Sequence, residues 1–231
     1  MFELLDLIKE PNDIKNIETV QYAELAKEIR RFLVQHISRT GGHLASNLGV
    51  VELTIAMHLC STFPEDKIVW DVGHQCYTHK LLTGRKEEFD HLRQFGGMSG
   101  FPKRNESDCD CIDTGHSSTS ISAAIGLAKA RDIKGEKHKV YAVIGDGALS
   151  GGMAYEALNN AARLKSNLII ILNDNQMSIS KNVGGMSRYL SRIRTNTNYT
   201  GLKEDIEKAL SKMPHIGNRL TGKIRGIKDL I

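Results

Sequence analysis

The chain has 231 residues, 40% hydrophobic and 25% charged, with 31 Lys and Arg against 27 Asp and Glu and a net charge of +4. That is ordinary globular composition, enough for one large domain or two small ones. The cations are scattered over positions such as Lys86, Lys103, Lys134, Arg192 and Arg225, which reads as a solvated surface and not as a nucleic-acid footprint. The N-terminus MFELLDLIKE has acidic residues early and no long apolar core, so no signal peptide is expected, and no apolar run is long enough for a membrane span. The four cysteines, Cys60, Cys76, Cys109 and Cys111, fit no paired CxxC metal pattern. Cys109-Asp110-Cys111 offers a soft-metal pair, but free cytosolic thiols are the plainer reading.

In chain order, Leu25, Ile29, Phe32, Leu33 and His36 share one stripe and predict an amphipathic helix over Glu24–His36. A polar, glycine-rich turn, SRTGGHLASNLG, precedes a second apolar helix, VELTIAMHLC. KIVWDVG reads as a short strand ending just before His74. The stretch from His79 to Asp108 reads as a helix followed by loops. From Ser118, small residues and Ile121, Ala124, Ile125 and Ala128 on one face predict a helix packed closely on a sheet. KVYAVI (139–144) and NLIIIL (167–172) read as buried strands, with the helix MAYEALNNAARL between them. Strand, helix and strand in that order make a parallel βαβ unit. The expected fold class is α/β, a parallel sheet flanked by helices over residues 1–180. Residues 181–231 are polar and short of strands. They predict a partly helical, mobile extension that ends prematurely at the apolar-periodic IRGIKDLI, as expected of a fragment or of a chain that needs a partner.

The chemistry concentrates where the strands end. GDGALSGG (145–152) is a glycine-rich turn between strand and helix, the kind that cradles phosphate with backbone N–H groups. Its aspartate, Asp146, would repel a bare phosphate. Asn175 lies 29 positions on, just past the next strand. Parallel strands bring both to the carboxyl edge of the sheet, where open α/β folds bind ligands. Two hard oxygen donors at one point suit Mg²⁺, which takes one or two protein groups plus phosphate oxygens. Gly147 and Ala148 would then open a helix toward those phosphates. A dinucleotide turn is the competing reading. Against it stand the position of the turn past residue 140 and a second strand ending in NDN without the usual single acidic residue. A Walker loop is excluded because no GKS or GKT follows. Of the histidines, His43 and His74 stand in glycine-rich turns that expose side chains to a cleft. His79, in the same region as His74, is a weaker candidate, and His36, His58, His91, His138 and His215 read as structural or surface residues.

GDG followed about thirty residues later by an asparagine resembles the signature of thiamine diphosphate enzymes. RTGGHLASNLGVVELTIAMH, WDVGHQCYTHKLLTGR, GGMSGFPKRNES, GHSSTSISAAIGLAKARD, IGDGALSGGMAYEALNNA and ILNDNQMSIS resemble the diphosphate-binding domain of the transketolase-like enzymes. Within them the chain is most similar to the 1-deoxy-D-xylulose-5-phosphate synthase family. That resemblance implies Mg²⁺ held by Asp146, Asn175 and the Met177 carbonyl, and a diphosphate on the Gly147–Ala148 backbone. It also implies a cofactor pocket shared by His74, Gly115, His116 and Ser117, and proton transfer by His43. It implies pyruvate and glyceraldehyde 3-phosphate as substrates, a cytoplasmic homodimer, and further C-terminal domains that this chain lacks, so that the chain alone would be inactive. YTHK and NDNQ depart from the family's usual YPHK and NDNE, which loosens a turn and removes a charge near the metal. A split transketolase subunit and a non-catalytic cofactor-binding remnant are the alternatives.

Overall fold

The computed structural model describes residues 2–115 and 118–174 together with Arg192. The chain divides into two units, 1–180 and 181–231, and the extension expected over 181–231 lies, Arg192 aside, outside the described residues.

Helix α1 (Tyr22–Thr40) buries Leu25, Ile29, Phe32, Leu33 and Ile37 along the expected stripe. It runs past the predicted end at His36 and stops at Gly41, whose positive φ of 76° lets its N–H return to the Ile37 carbonyl. Glu28 is buried on the same helix, and its Oε2 accepts the amides of Leu4 and Leu5 at 3.0 and 2.9 Å. That carboxylate satisfies the opening of an N-terminal 3₁₀ turn, Leu5–Leu7. The glycine-rich turn expected after α1 is shorter than its sequence implies. It contains α2 (Leu44–Leu48), a five-residue helix between two glycine segments. Helix α3 (Val51–Cys60) follows as predicted.

Strand β1 (Lys67–Trp70) leads to α4 (Tyr77–Leu82), every residue of which is buried. A long excursion containing the 3₁₀ turn Glu87–His91 returns to α5 (Ser120–Lys134). Strand β2 (Val140–Gly145), α6 (Gly152–Leu164) and β3 (Ile169–Asn173) complete the βαβ unit. The described sheet has the order β1-β2-β3 and is parallel throughout. Ser120, Ala124 and Ala128 are the buried small residues of α5 that let it lie close to the sheet. Arg131, near the end of α5, donates to the carbonyls of His138 and Asn167 at 3.0 and 2.8 Å and so ties together the segments entering β2 and β3. Asp66 does the same for β1 and β2, accepting the amides of Thr62 and Lys139 at 2.7 and 2.6 Å.

The fold class is the expected α/β. One strand differs from expectation: β3 is not buried. Ile169 and Leu172 are exposed, and among the described residues no strand pairs with its outer edge. An unbroken apolar run marks a strand that can be covered, and the covering must come from elsewhere in the fold.

Candidate functional site

The three strands end at one edge. β1 runs into Asp71-Val72-Gly73-His74, β2 into Asp146, and β3 into Asp174. Gly145 is in register with Asn173, so the residues after β2 and β3 leave the sheet level with each other.

The turn after β1 is tight and strained. The Gly73 amide reaches back to the Asp71 carbonyl at 2.5 Å, a γ-turn with Val72 at φ +60°. A β-branched residue is rarely found there and is held only by strong surroundings. Here the Asp71 amide donates to the Val143 carbonyl at 2.8 Å and the Gln75 side chain donates to the Asp71 carbonyl at 3.0 Å. Asp71 Oδ2 accepts the Ser120 amide at 3.0 Å, which pins the start of α5 to the end of β1. Gly73 lies so close to Thr114 and Pro102 that a Cβ would collide with both. The result presents His74 half-buried at the strand end.

The turn after β2 differs from the expected helix opening. Gly147 and Ala148 do not begin α6. Ala148–Ser150 form a single 3₁₀ turn, and α6 starts at Gly152. Between that turn and α6 the chain passes close to Ser118. The Ser118 hydroxyl donates to the Ala148 carbonyl at 2.8 Å, and a Cβ on Gly151 would lie 2.5 Å from that hydroxyl oxygen. The loop that carries Gly115 is therefore in direct contact with the GDGALSGG turn. Ser118 itself is held at φ +55°.

His43 enters from the turn between α1 and α2. Its ring meets that of His74 edge-on, with centroids 5.2 Å apart, and Phe101 stands 6.1 Å away on another side. The structure thus brings together His43 and His74, and separately Ser118 and the turn at Ala148. The two groups are joined through Asp71–Ser120 and Gly73–Thr114. His116, Ser117, Asn175 and Met177 lie outside the described residues.

His79 is not part of this edge. It is fully buried in a network behind it, where its Nδ1 lies 2.9 Å from His58 Nε2 and its Nε2 lies 3.3 Å from Asp110 Oδ1. Arg85 grips Asp110 with two bonds of 2.7 and 3.0 Å, and Lys80, itself fully buried, donates to Glu106 at 2.5 Å. Burial pulls the pKa of His58 well down, helped by the neighbouring His79 and Arg85. Burial also lowers that of His79, against the pull of Asp110. For Asp110 burial works upward, but its hydrogen bonds to His79 and Arg85 win and hold it far below the usual carboxylate range. Neutral His79 then donates to a charged Asp110 and accepts from His58. This is an internal brace, not a catalytic group. Cys109 and Cys111 do not form a metal pair either. The Cys111 thiol donates to the Ile68 carbonyl at 3.2 Å, and burial pushes its pKa up to about 11. Among the described residues no cluster of three or more His, Cys, Asp or Glu is arranged for a metal.

The sequence pattern does not single out Asn47, which is fully buried between the two histidine turns. Its side-chain amide donates to the His43 carbonyl at 2.7 Å and to the His74 carbonyl at 2.8 Å, and its oxygen accepts the Tyr77 amide at 2.9 Å. The only signal was its place one helical turn after His43.

A family model described as 1-deoxy-D-xylulose-5-phosphate synthase matches residues 5–231. The chain belongs to the 1-deoxy-D-xylulose-5-phosphate synthase family. Among proteins of that name it is 65% identical over 229 residues to one from Lachnoclostridium phytofermentans, covering 99% of this chain and 37% of the relative. It is 59% identical over 229 residues to one from Clostridium kluyveri, covering 99% of this chain and 37% of that relative. It is 60% identical over 226 residues to one from Desulforudis audaxviator, covering 98% of this chain and 36% of that relative. The chain therefore spans little more than a third of the length of these 1-deoxy-D-xylulose-5-phosphate synthases, and the match is to that third throughout.

Proposed function

We propose that this chain holds the diphosphate end of thiamine diphosphate through Mg²⁺, within a longer enzyme that makes 1-deoxy-D-xylulose 5-phosphate from pyruvate and glyceraldehyde 3-phosphate. Such a transferase feeds isoprenoid, thiamine and pyridoxal synthesis. The observation that carries the reading is the level ending of β2 and β3 at Gly145 and Asn173, beside a glycine turn in contact with the Ser118 loop. The backbone there is open: a Cβ placed on Gly115, Gly145 or Gly152 would meet nothing within 4 Å, so a bound group would have room to approach.

On this reading Asp146 holds the Mg²⁺ with Asn175 and the Met177 carbonyl. The backbone of Gly147 and Ala148 faces the diphosphate, and His74, Gly115, His116 and Ser117 line the cofactor pocket. Thiamine diphosphate, when bound, would supply the carbanion chemistry by which pyruvate loses carbon dioxide and its remaining two carbons join the aldehyde. The His43 imidazole, beside His74 and shielded by Phe101, takes and returns the proton at the reacting substrate. Groups acting on the other end of the cofactor belong to the remaining two thirds of the enzyme. The working form is a cytoplasmic homodimer, and the exposed apolar side chains Ile133, Met153, Ile169 and Leu172 support association. No described helix is long and apolar enough to cross a membrane.

Calorimetric titration of thiamine diphosphate with Mg²⁺ tests the metal assignment. Asp146→Ala is expected to weaken Mg²⁺-dependent binding by at least about 100-fold with the fold intact, since a ligand matters more than the outer partners whose loss costs 10–100-fold. Unchanged affinity would remove Asp146 from the metal site. Turnover of pyruvate with glyceraldehyde 3-phosphate is expected from the full-length enzyme and not from residues 1–231 alone. Clear turnover by the 231-residue chain would show that the missing part is dispensable.

A further inference from the structure

The two candidate histidines stand on separate turns, and neither turn is fixed by its own element. α2 has five residues, no side-chain cap at its start, and His43 itself as the N-cap. So short a helix does not hold its shape alone. The His74 turn is strained at Val72 and would relax if released. A group that reaches from one turn to the other must set the distance between the rings.

We propose that Asn47 is a positioning residue that fixes His43 against His74. The three bonds of its side chain account for both amide hydrogens and one oxygen lone pair. Two of its partners are the carbonyl oxygens of His43 and His74 themselves, so the clip acts on the main chain of the very residues it aligns. The third is the Tyr77 amide, at the start of α4. Rotating the amide by half a turn would set its oxygen against two carbonyls and its N–H₂ against an N–H, so the partners leave one orientation. No other side chain of this length offers two donors and an acceptor in one plane. Aspartate lacks both donors, and serine has one. The carbonyls of His43 and His74 are 31 positions apart in the chain, yet one planar group spans them.

The inference rests on reading His43 and His74 as working residues, and its test does not depend on that reading. In the 231-residue chain with labelled histidine, ring-to-ring NOE cross-peaks between His43 and His74 are expected. Asn47→Ala is expected to abolish them while the near-ultraviolet signal of buried Trp70 persists. Asn47→Ser, which keeps one donor, is expected to weaken them. Thr54→Val removes a different buried bond, from Thr54 Oγ1 to the Val50 carbonyl at 2.7 Å, and is expected to leave them unchanged. Persistence of the cross-peaks in folded Asn47→Ala overturns the proposal, and so does their equal loss in Thr54→Val. Should both Asn47 variants fail to fold, the unaltered chain still decides. The Tyr77 amide is expected among its slowly exchanging protons, and exchange at the rate of an open loop overturns the clip. Turnover of His43→Ala in the full-length enzyme judges the catalytic reading separately. Loss of the ring contact in Asn47→Ala stands whichever way that turnover falls.

Discussion

β1 and β3 flank the same central strand and are built from the same kind of sequence, yet their surroundings are opposite. β1 ends in Trp70, 1% exposed, with the tilted ring of His79 centred 6.0 Å away and the Arg85–Asp110 pair behind it. β3 leaves Ile169 and Leu172 at 41% and 37% exposure. Apolar β-branched residues decide that a segment is extended; they do not decide what lies on it. The β1 flank is covered because the chain makes a long excursion there, and that excursion brings charged residues with it. Their burial has to be compensated by pairing, which the β3 flank never requires.

Breaking a pair on the β1 flank is therefore expected to produce the largest effect. Asp110→Ala leaves Arg85 buried without its carboxylate and is expected to cost about 3–5 kcal/mol in chemical denaturation. A cost near zero would mean that the flank is held by its apolar contacts alone. Next comes acid. His58 and His79 have folded pKa values depressed below the ordinary value, so their contribution is complete above about pH 6.5 and is lost as pH falls below it. Stability is expected to drop with a slope of up to about 1.4 kcal/mol per pH unit for each proton taken up. His58→Phe is expected to flatten that slope, and an unchanged slope would place the titration elsewhere. The smallest effect belongs to β3. Ile169→Ser, on the exposed side, is expected to change the folding free energy by no more than about 0.5 kcal/mol. A cost of core size would show that the strand is covered in solution.

The same contrast explains what could be read from the residues alone. α1, α3, α5, α6 and all three strands announce themselves by periodicity or by short apolar runs, and the convergence of strand ends follows from the βαβ order. α2 does not, because five residues between glycines carry no period. The stretch holding Lys80, Arg85, Glu106 and Asp110 looks like a solvated charge run, and only the folded chain shows these groups paired in the interior. His79 is buried in that same interior network, and nearness to His74 in sequence says nothing about which side of the helix it occupies. His43 and His74 each stand out by their glycine-rich turns, but their spacing implies no contact, and only the folded chain shows the rings meeting. Asn47 resembles any polar residue in a short helix until its three partners are seen.

The register Lys67↔Val140 sets two neighbouring strands 73 positions apart, while Tyr141 and Ile169 pair across only 28. Closing a loop costs more entropy the longer it is, and distant pairings slow folding. The unit from β2 to β3 can thus assemble on its own, as a nucleus onto which β1 docks afterwards. The excursion between β1 and β2 carries His74, the Asp110 brace and the Gly115 loop. Its residues can take their final places only once that docking is complete, so the two halves of the site would mature at different times during folding.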